Sequence, residues 1–207
     1  MSPYTIALFF HVSGAIGYFV GIGAWLFILV GLRRAQRVEQ VRGLVNLIGL
    51  SGPFTGISLL FILVTGFYMA VTAWSLRTGW IDVALISLIL MVPSGAALIE
   101  PRRRAIARLA QEEPDGPLPP ALERRTHDPI LLTALQTVAA LLLGIVFLMT
   151  NKPALIGSII VMAVALVLGV ASGVLVSRAT RIRGQRVAAQ ANQERASRIA
   201  EVGNRRG

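Results

Sequence analysis

The sequence predicts an all-α fold: a polytopic membrane bundle of five transmembrane helices, N-terminus outside and C-terminus cytoplasmic. Three observations predict it. Hydrophobic residues make up 55% of the 207 and charged residues only 14%, against about 25% in soluble domains; mean hydropathy is +0.69. The apolar residues gather into five runs, each long enough to cross a ~30 Å hydrocarbon core as a helix of about 20 residues. The cations lie between the runs, on alternate sides. A soluble chain of this size has too high a surface-to-volume ratio to hide so much apolar surface. Soluble enzymes, disordered tails and disulfide scaffolds are thereby excluded. The net charge of +10 does not indicate nucleic acid, which needs a basic patch on a water-facing fold.

The spans follow in order. The first covers about residues 4–32, the second 53–74, the third 80–99, the fourth 130–150 and the fifth 153–176. No Lys, Arg or Glu lies inside their cores. In hydrocarbon the backbone must satisfy its own hydrogen bonds, so these runs are helices. Residues 1–177 are expected to form the transmembrane domain and 178–207 a basic cytoplasmic tail, either a helical extension or frayed. Leu44 to Ser51 reads as an interfacial or helix-extending piece. Arg102 to Asp128, with its EEPDGPLPP stretch, reads as an exposed cytoplasmic loop. Pro93 is expected to kink the third helix, with Ser94 helping to satisfy the freed carbonyl.

Orientation follows from the excess of Lys and Arg on cytoplasmic loops. Arg33, Arg34, Arg37 and Arg42 follow the first span, and Arg102, Arg103, Arg104, Arg108, Arg124 and Arg125 the third. Eight arginines from Arg178 to Arg206 follow the fifth. Only Arg77 and Lys152 fall on the other side. The cationic face is also expected to attract anionic headgroups of the bilayer. The expected location is therefore the inner (plasma) membrane, multi-pass. Trp74 and Trp80 flank the second outside turn, where an aromatic belt belongs.

His11 is the one ionisable side chain well inside a span, and an intramembrane ionisable group is a functional hypothesis because its burial in lipid is costly. The alternative is a neutral imidazole bonded to a carbonyl, Tyr18, Thr65 or Tyr68. His127 lies on the cytoplasmic side and cannot share one haem with His11 in a single protomer. Met69 and Met149 lie near the outer ends of their helices, at the depth of His11. One imidazole with thioether sulfur suits haem b iron or copper, although methionine is also an ordinary packing residue. Ser13, Gly17 and Gly21, at four-residue spacing, read as a helix-packing surface, within the bundle or toward a membrane-protein partner or second copy. Gln136 with Thr133 and Thr137 reads as interhelical hydrogen bonding. No carboxylate lies at mid-membrane, which disfavours proton-coupled transport. With no cysteine, no phosphate loop and no nucleophile motif, no catalytic residue is assigned and no cofactor is required.

The segments FFHVSGAIGYFVGIG, LVTGFYMAVTAW followed by GWI, and GIVFLMTNKP resemble a family of small bacterial predicted integral membrane proteins of unassigned function, over about residues 4–177. More distantly, the His-then-Gly pattern of the first helix is similar to the copper-resistance-D-type membrane domain and the bacterial membrane protoporphyrinogen oxidases. Those carry a haem-associated histidine in an early helix. That likeness transfers to His11 alone, because the further histidines and charged pocket residues expected there have no counterpart. The function expected is an accessory, assembly or interaction protein of the bacterial inner membrane, with a haem- or copper-binding redox protein as the alternative and a transporter after it.

Overall fold

The structure, a computed structural model, describes residues 2–74 and 78–204, with side chains described to residue 179. Its elements are α1 (Pro3–Arg34), α2 (Val38–Ala73), α3 (Gly79–Glu112), α4 (Pro120–Thr126), α5 (Pro129–Asn151) and α6 (Leu155–Asn204). Among the described residues five stretches are long and apolar enough to cross a membrane: α1, α2, α3, α4 with α5, and Leu155–Ala179 of α6. Large apolar side chains such as Phe27, Leu50 and Ile156 are 73–81% exposed. Such a surface is stable against hydrocarbon and not against water.

The helix ends follow from local chemistry. Ser2 Oγ accepts from Thr5 N at 3.2 Å, and Pro3 occupies the first turn, where its missing N–H is no loss. Asp128 Oδ1 caps α5 by accepting from Ile130 N at 2.8 Å. Lys152 ends α5 in the left-handed region at φ 49°. Its ammonium lies 4.5 Å from the Trp74 ring centroid, and Trp74 and Trp80 pack edge to face at 5.3 Å.

The sequence expectations need three corrections here, and one alternative they left open is decided. The second helix starts at Val38, so of the two readings of Leu44 to Ser51 the helix-extending one holds. The exposed loop expected from Arg102 is mostly folded: α3 runs on to Glu112, and Ile106, Ala110 and Leu122 are 2%, 1% and 0% exposed. Ile106 and Ala110 recur at helical spacing inside a charged stretch, and the prolines that break helix lie only between Pro114 and Pro120. Pro93 lies inside α3, where Ser94 Oγ donates to Leu90 O at 2.7 Å and not to Ile89, whose acceptor the proline frees. Finally, Thr133 and Thr137 donate to Pro129 O and Thr133 O of their own helix, while Gln136 Oε1 is buried without a partner among the described residues. Arg77, Arg205 and Arg206 lie outside the described residues. So do the tail side chains from residue 180; the tail backbone is helical to Asn204.

α1 packs most extensively on α2, and α5 on α6, with α3 between the two pairs; α2 and α5 do not pack on each other among the described residues. Three apolar clusters stack along the bundle. One at the arginine-rich end joins α1 to α5 through Leu32, Val41, Ile106, Leu122 and Leu135. A middle one holds Tyr18, Leu88, Met91, Val138 and Leu142. The third, at the tryptophan end, holds Ala70, Trp80, Ile81, Leu148 and Met162.

Candidate functional site

His11 sits on the seam between α1 and α2. Its Nδ1 lies 3.1 Å from the Ile62 carbonyl oxygen and 3.4 Å from Thr65 Oγ1. A carbonyl only accepts, so Nδ1 carries the hydrogen and donates. That fixes the tautomer and leaves the Nε2 lone pair without a partner among the described residues. The ring fits because residue 66 is glycine: a Cβ there would stand 2.9 Å from His11 Cε1. Of the alternatives open in the sequence, the carbonyl is the main partner and Thr65 the second. Neither tyrosine is.

The same seam places the small residues of α1. A Cβ at Gly14 would meet Ser58 O at 2.8 Å and Phe61 Cβ at 2.9 Å. Gly17 and Gly21 lie as close to Ser58 and Thr55. Ser13 is exposed and points away; the face in contact therefore steps 14, 17, 21, and Gly14 holds the place expected of Ser13. The step of three then four follows the 3.6-residue turn better than strict fours.

Met69 lies on the face of α2 that carries Ile62 and Gly66, one turn further along, and is buried. Met149 packs instead on the cluster at the tryptophan end, beside Trp80, Ile81 and Met162. Met69 thus shares a face of α2 with the residues that seat His11, while Met149 packs on the cluster at the tryptophan end. Among the described residues no group of three or more His, Cys, Asp or Glu could hold a metal ion. His127 is exposed at the arginine-rich end, its Nδ1 3.0 Å from Glu123 O.

The sequence reading did not find the second built region, at the arginine-rich end. Arg42 reaches from α2 to the end of α3, donating from Nε to Ala110 O at 3.1 Å and from Nη2 to Glu113 O at 3.0 Å. Its Nη1 pairs with Asp115 at 2.7 Å. One guanidinium therefore caps a helix whose last carbonyls lack partners in their own helix. Asp128 caps α5 while accepting from Arg102 Nε at 3.1 Å, and its backbone carbonyl accepts from Arg33 Nη2 at 3.3 Å. Between them, Val38 N donates to Gly116 O and Leu118 N to Gln36 O. The α1–α2 turn and the segment after α3 are tied together. Arg34, Arg124 and Arg125 stay exposed on the outside of this cap.

Five apolar helices, a glycine-mediated seam holding one histidine, and a folded arginine-rich cap define a multi-pass integral membrane protein. The family model described as "Predicted integral membrane protein (DUF2269)" matches residues 5–153. The chain belongs to that family. Comparison with curated proteins gives no match, and comparison with solved structures gives none.

Proposed function

We propose that the protein is an accessory or assembly protein of the bacterial inner membrane, N-terminus outside, that engages a membrane-protein partner through its cytoplasmic arginine-rich cap. The cap carries this reading. Arg42 and Asp128 each join segments far apart in sequence into one surface. Topology alone requires only loose cations on that side; a folded, cross-braced surface goes beyond that requirement and suits recognition. Reporter fusions after Arg108 and after Gly207 are expected to read cytoplasmic. A photoreactive residue at Arg124 is expected to give one discrete adduct in native membranes, lost in Asp128→Ala. An external signal from either fusion sinks the orientation, and diffuse labelling unaffected by Asp128→Ala sinks the docking role.

One observation favours a second reading, a haem or copper ligand at His11. Metal-bound imidazoles commonly donate their other ring N–H to a carbonyl or carboxylate, as Nδ1 does here toward Ile62. Met69 is the thioether one turn along the same face of α2. Purified protein with a Soret band, or with bound copper, either of them lost in His11→Asn, would support that reading. Protein free of both after expression with added haem and copper would end it.

A further inference from the structure

The turn between α1 and α2 leaves an open groove of about 460 Å³ at the arginine-rich end, within the range of about 300–1,000 Å³ typical of small-molecule sites. Gly31, Arg34 and Ala35 of α1 form one wall, and Gly43 and Leu44 of α2 the other. Gly43 keeps it open. A Cβ there meets no atom within 4 Å, whereas a Cβ at Gly31 would already stand 3.1 Å from Leu44 Cδ1. Phe27 lies one turn back from Gly31, and Leu47 one turn on from Gly43; both are exposed. Because the two helices run in opposite directions, both lie on the membrane side of the groove. It therefore opens to hydrocarbon on one side and to the polar end of the bundle on the other.

The polar groups on its rim, Arg34, Glu39 and Gln40, differ in what they still have to offer. Glu39 is the carboxylate there, and both of its oxygens are taken: Oε1 by Arg37 Nε at 2.5 Å and Oε2 by Gly116 N at 3.2 Å. Gln40 Oε1 accepts from Gln36 N at 3.0 Å, which leaves Nε2 as a donor without a partner among the described residues. Arg34 is exposed, and its guanidinium has no partner among the described residues either. Its neighbours Arg33, Arg37 and Arg42 are each bonded to a carboxylate or a carbonyl. The acceptors are used inside the fold, and the groups left free are donors, one of them a cation. That combination suits an anion.

We infer that this groove seats an anionic phospholipid of the leaflet at the arginine-rich end. Its phosphate rests on Arg34 and Gln40, and one acyl chain leaves between Phe27 and Leu47. Arg34 is the last residue of α1, just beyond the apolar span, and so meets the depth of the lipid phosphates. A planar guanidinium gives two parallel N–H bonds to phosphate oxygens. A choline headgroup would set its own cation beside Arg34, and a glycerol headgroup would not. An acidic protein side chain would satisfy the donors and leave the apolar flank of the groove empty; a phospholipid fills both.

Native mass spectrometry of the purified full chain, titrated in detergent with phosphatidylglycerol or phosphatidylcholine, tests the assignment. One phosphatidylglycerol per chain should be retained, about fivefold more tightly than phosphatidylcholine, equivalent to the ~1 kcal/mol of one basic residue at an anionic surface. Arg34→Gln should abolish the preference. Gly43→Leu, whose side chain enters open space, should fill the groove and lose the retained lipid while the bundle stays as stable as the parent. The double variant Arg124→Gln/Arg125→Gln removes two exposed arginines of α4 outside the groove and should leave the preference unchanged. A preference that falls as far in the α4 variant as in Arg34→Gln would show diffuse surface charge and overturn the assignment. Retention unaffected by Gly43→Leu would do the same. Inorganic phosphate that competes at the concentration of phosphatidylglycerol would also overturn it, showing an anion site with no need of the lipid.

Discussion

Gly14→Ala and Gly23→Ala make the same chemical change on one helix and are expected to act in opposite directions. At Gly14 the new methyl would lie 2.8 Å from Ser58 O and 2.9 Å from Phe61 Cβ, while at Gly23 nothing lies within 4 Å. The atoms it meets at position 14 are backbone and the root of a side chain, so they yield only if α1 and α2 separate. Overpacking of this kind costs about 1–3 kcal/mol. Replacing glycine by alanine in a free helical position gains up to ~1 kcal/mol. The two variants should therefore differ by about 1–4 kcal/mol, Gly14→Ala falling below the parent and Gly23→Ala at or above it. Reversible unfolding in mixed micelles of increasing denaturing-detergent fraction, followed by tryptophan fluorescence, measures the difference. Variants equal within ~0.5 kcal/mol would refute the close α1–α2 seam, and with it the placement of His11 against Ile62.

Gly66→Ala should push the His11 ring off the Ile62 carbonyl, and imidazole nitrogen NMR should then show the Nδ1–H tautomer no longer fixed; an unchanged spectrum contradicts the seat described. Arg42→Gln removes a charged cap from α3 and should cost about 1.5–3 kcal/mol. The amides of residues 110–118 should exchange with solvent faster while those of α5 do not. Asp128→Asn should keep the cap on α5 and lose its ionic partner, whereas Asp128→Ala should lose both and unfold about 0.5–2 kcal/mol more easily than the asparagine variant; identical stabilities would mean the cap contributes nothing. Lys152→Gly relieves a left-handed residue worth about 1–2 kcal/mol and loses a cation–π contact worth about 0.5–1 kcal/mol, so thermal unfolding should shift little. Lys152→Val should be clearly less stable than Lys152→Gly.

The membrane spans were legible because bilayer thickness imposes a length that twenty apolar residues meet and no soluble helix needs. Helix ends outside the expected spans were not, since α2 before Pro53 is broken up by glycines and polar residues and α3 after Arg102 is charged, and both are held by a minority of buried residues such as Val38, Val41, Ile106 and Ala110. His11 could be singled out from the sequence because it is the lone imidazole within a span. Its seat could not, because Gly66 is one glycine among 20 and only the α1–α2 register shows which atoms it admits. Arg42 reads as a topology signal until the fold brings Ala110, 68 positions away, within reach of its guanidinium. The glycines look alike in sequence; Gly14, Gly17, Gly21 and Gly66 meet the facing helix while Gly49, Gly52 and Gly56 are exposed with no neighbour, and spacing alone does not distinguish them.

The pairing of α1 with α2 and of α5 with α6 bears on how the chain is made. Each pair is joined by three residues, 35–37 and 152–154, so its partners leave the ribosome almost together and can enter the bilayer as a hairpin. α3 is different. Much of what it packs on, Leu122 and Asp128 at one end and Val138 in the middle, has not been synthesised when α3 emerges. During biosynthesis the third helix must wait at the insertion site or beside the first hairpin, its Arg102 without a counter-ion, until some thirty more residues arrive. A chaperone of membrane insertion would meet this protein in that half-made state.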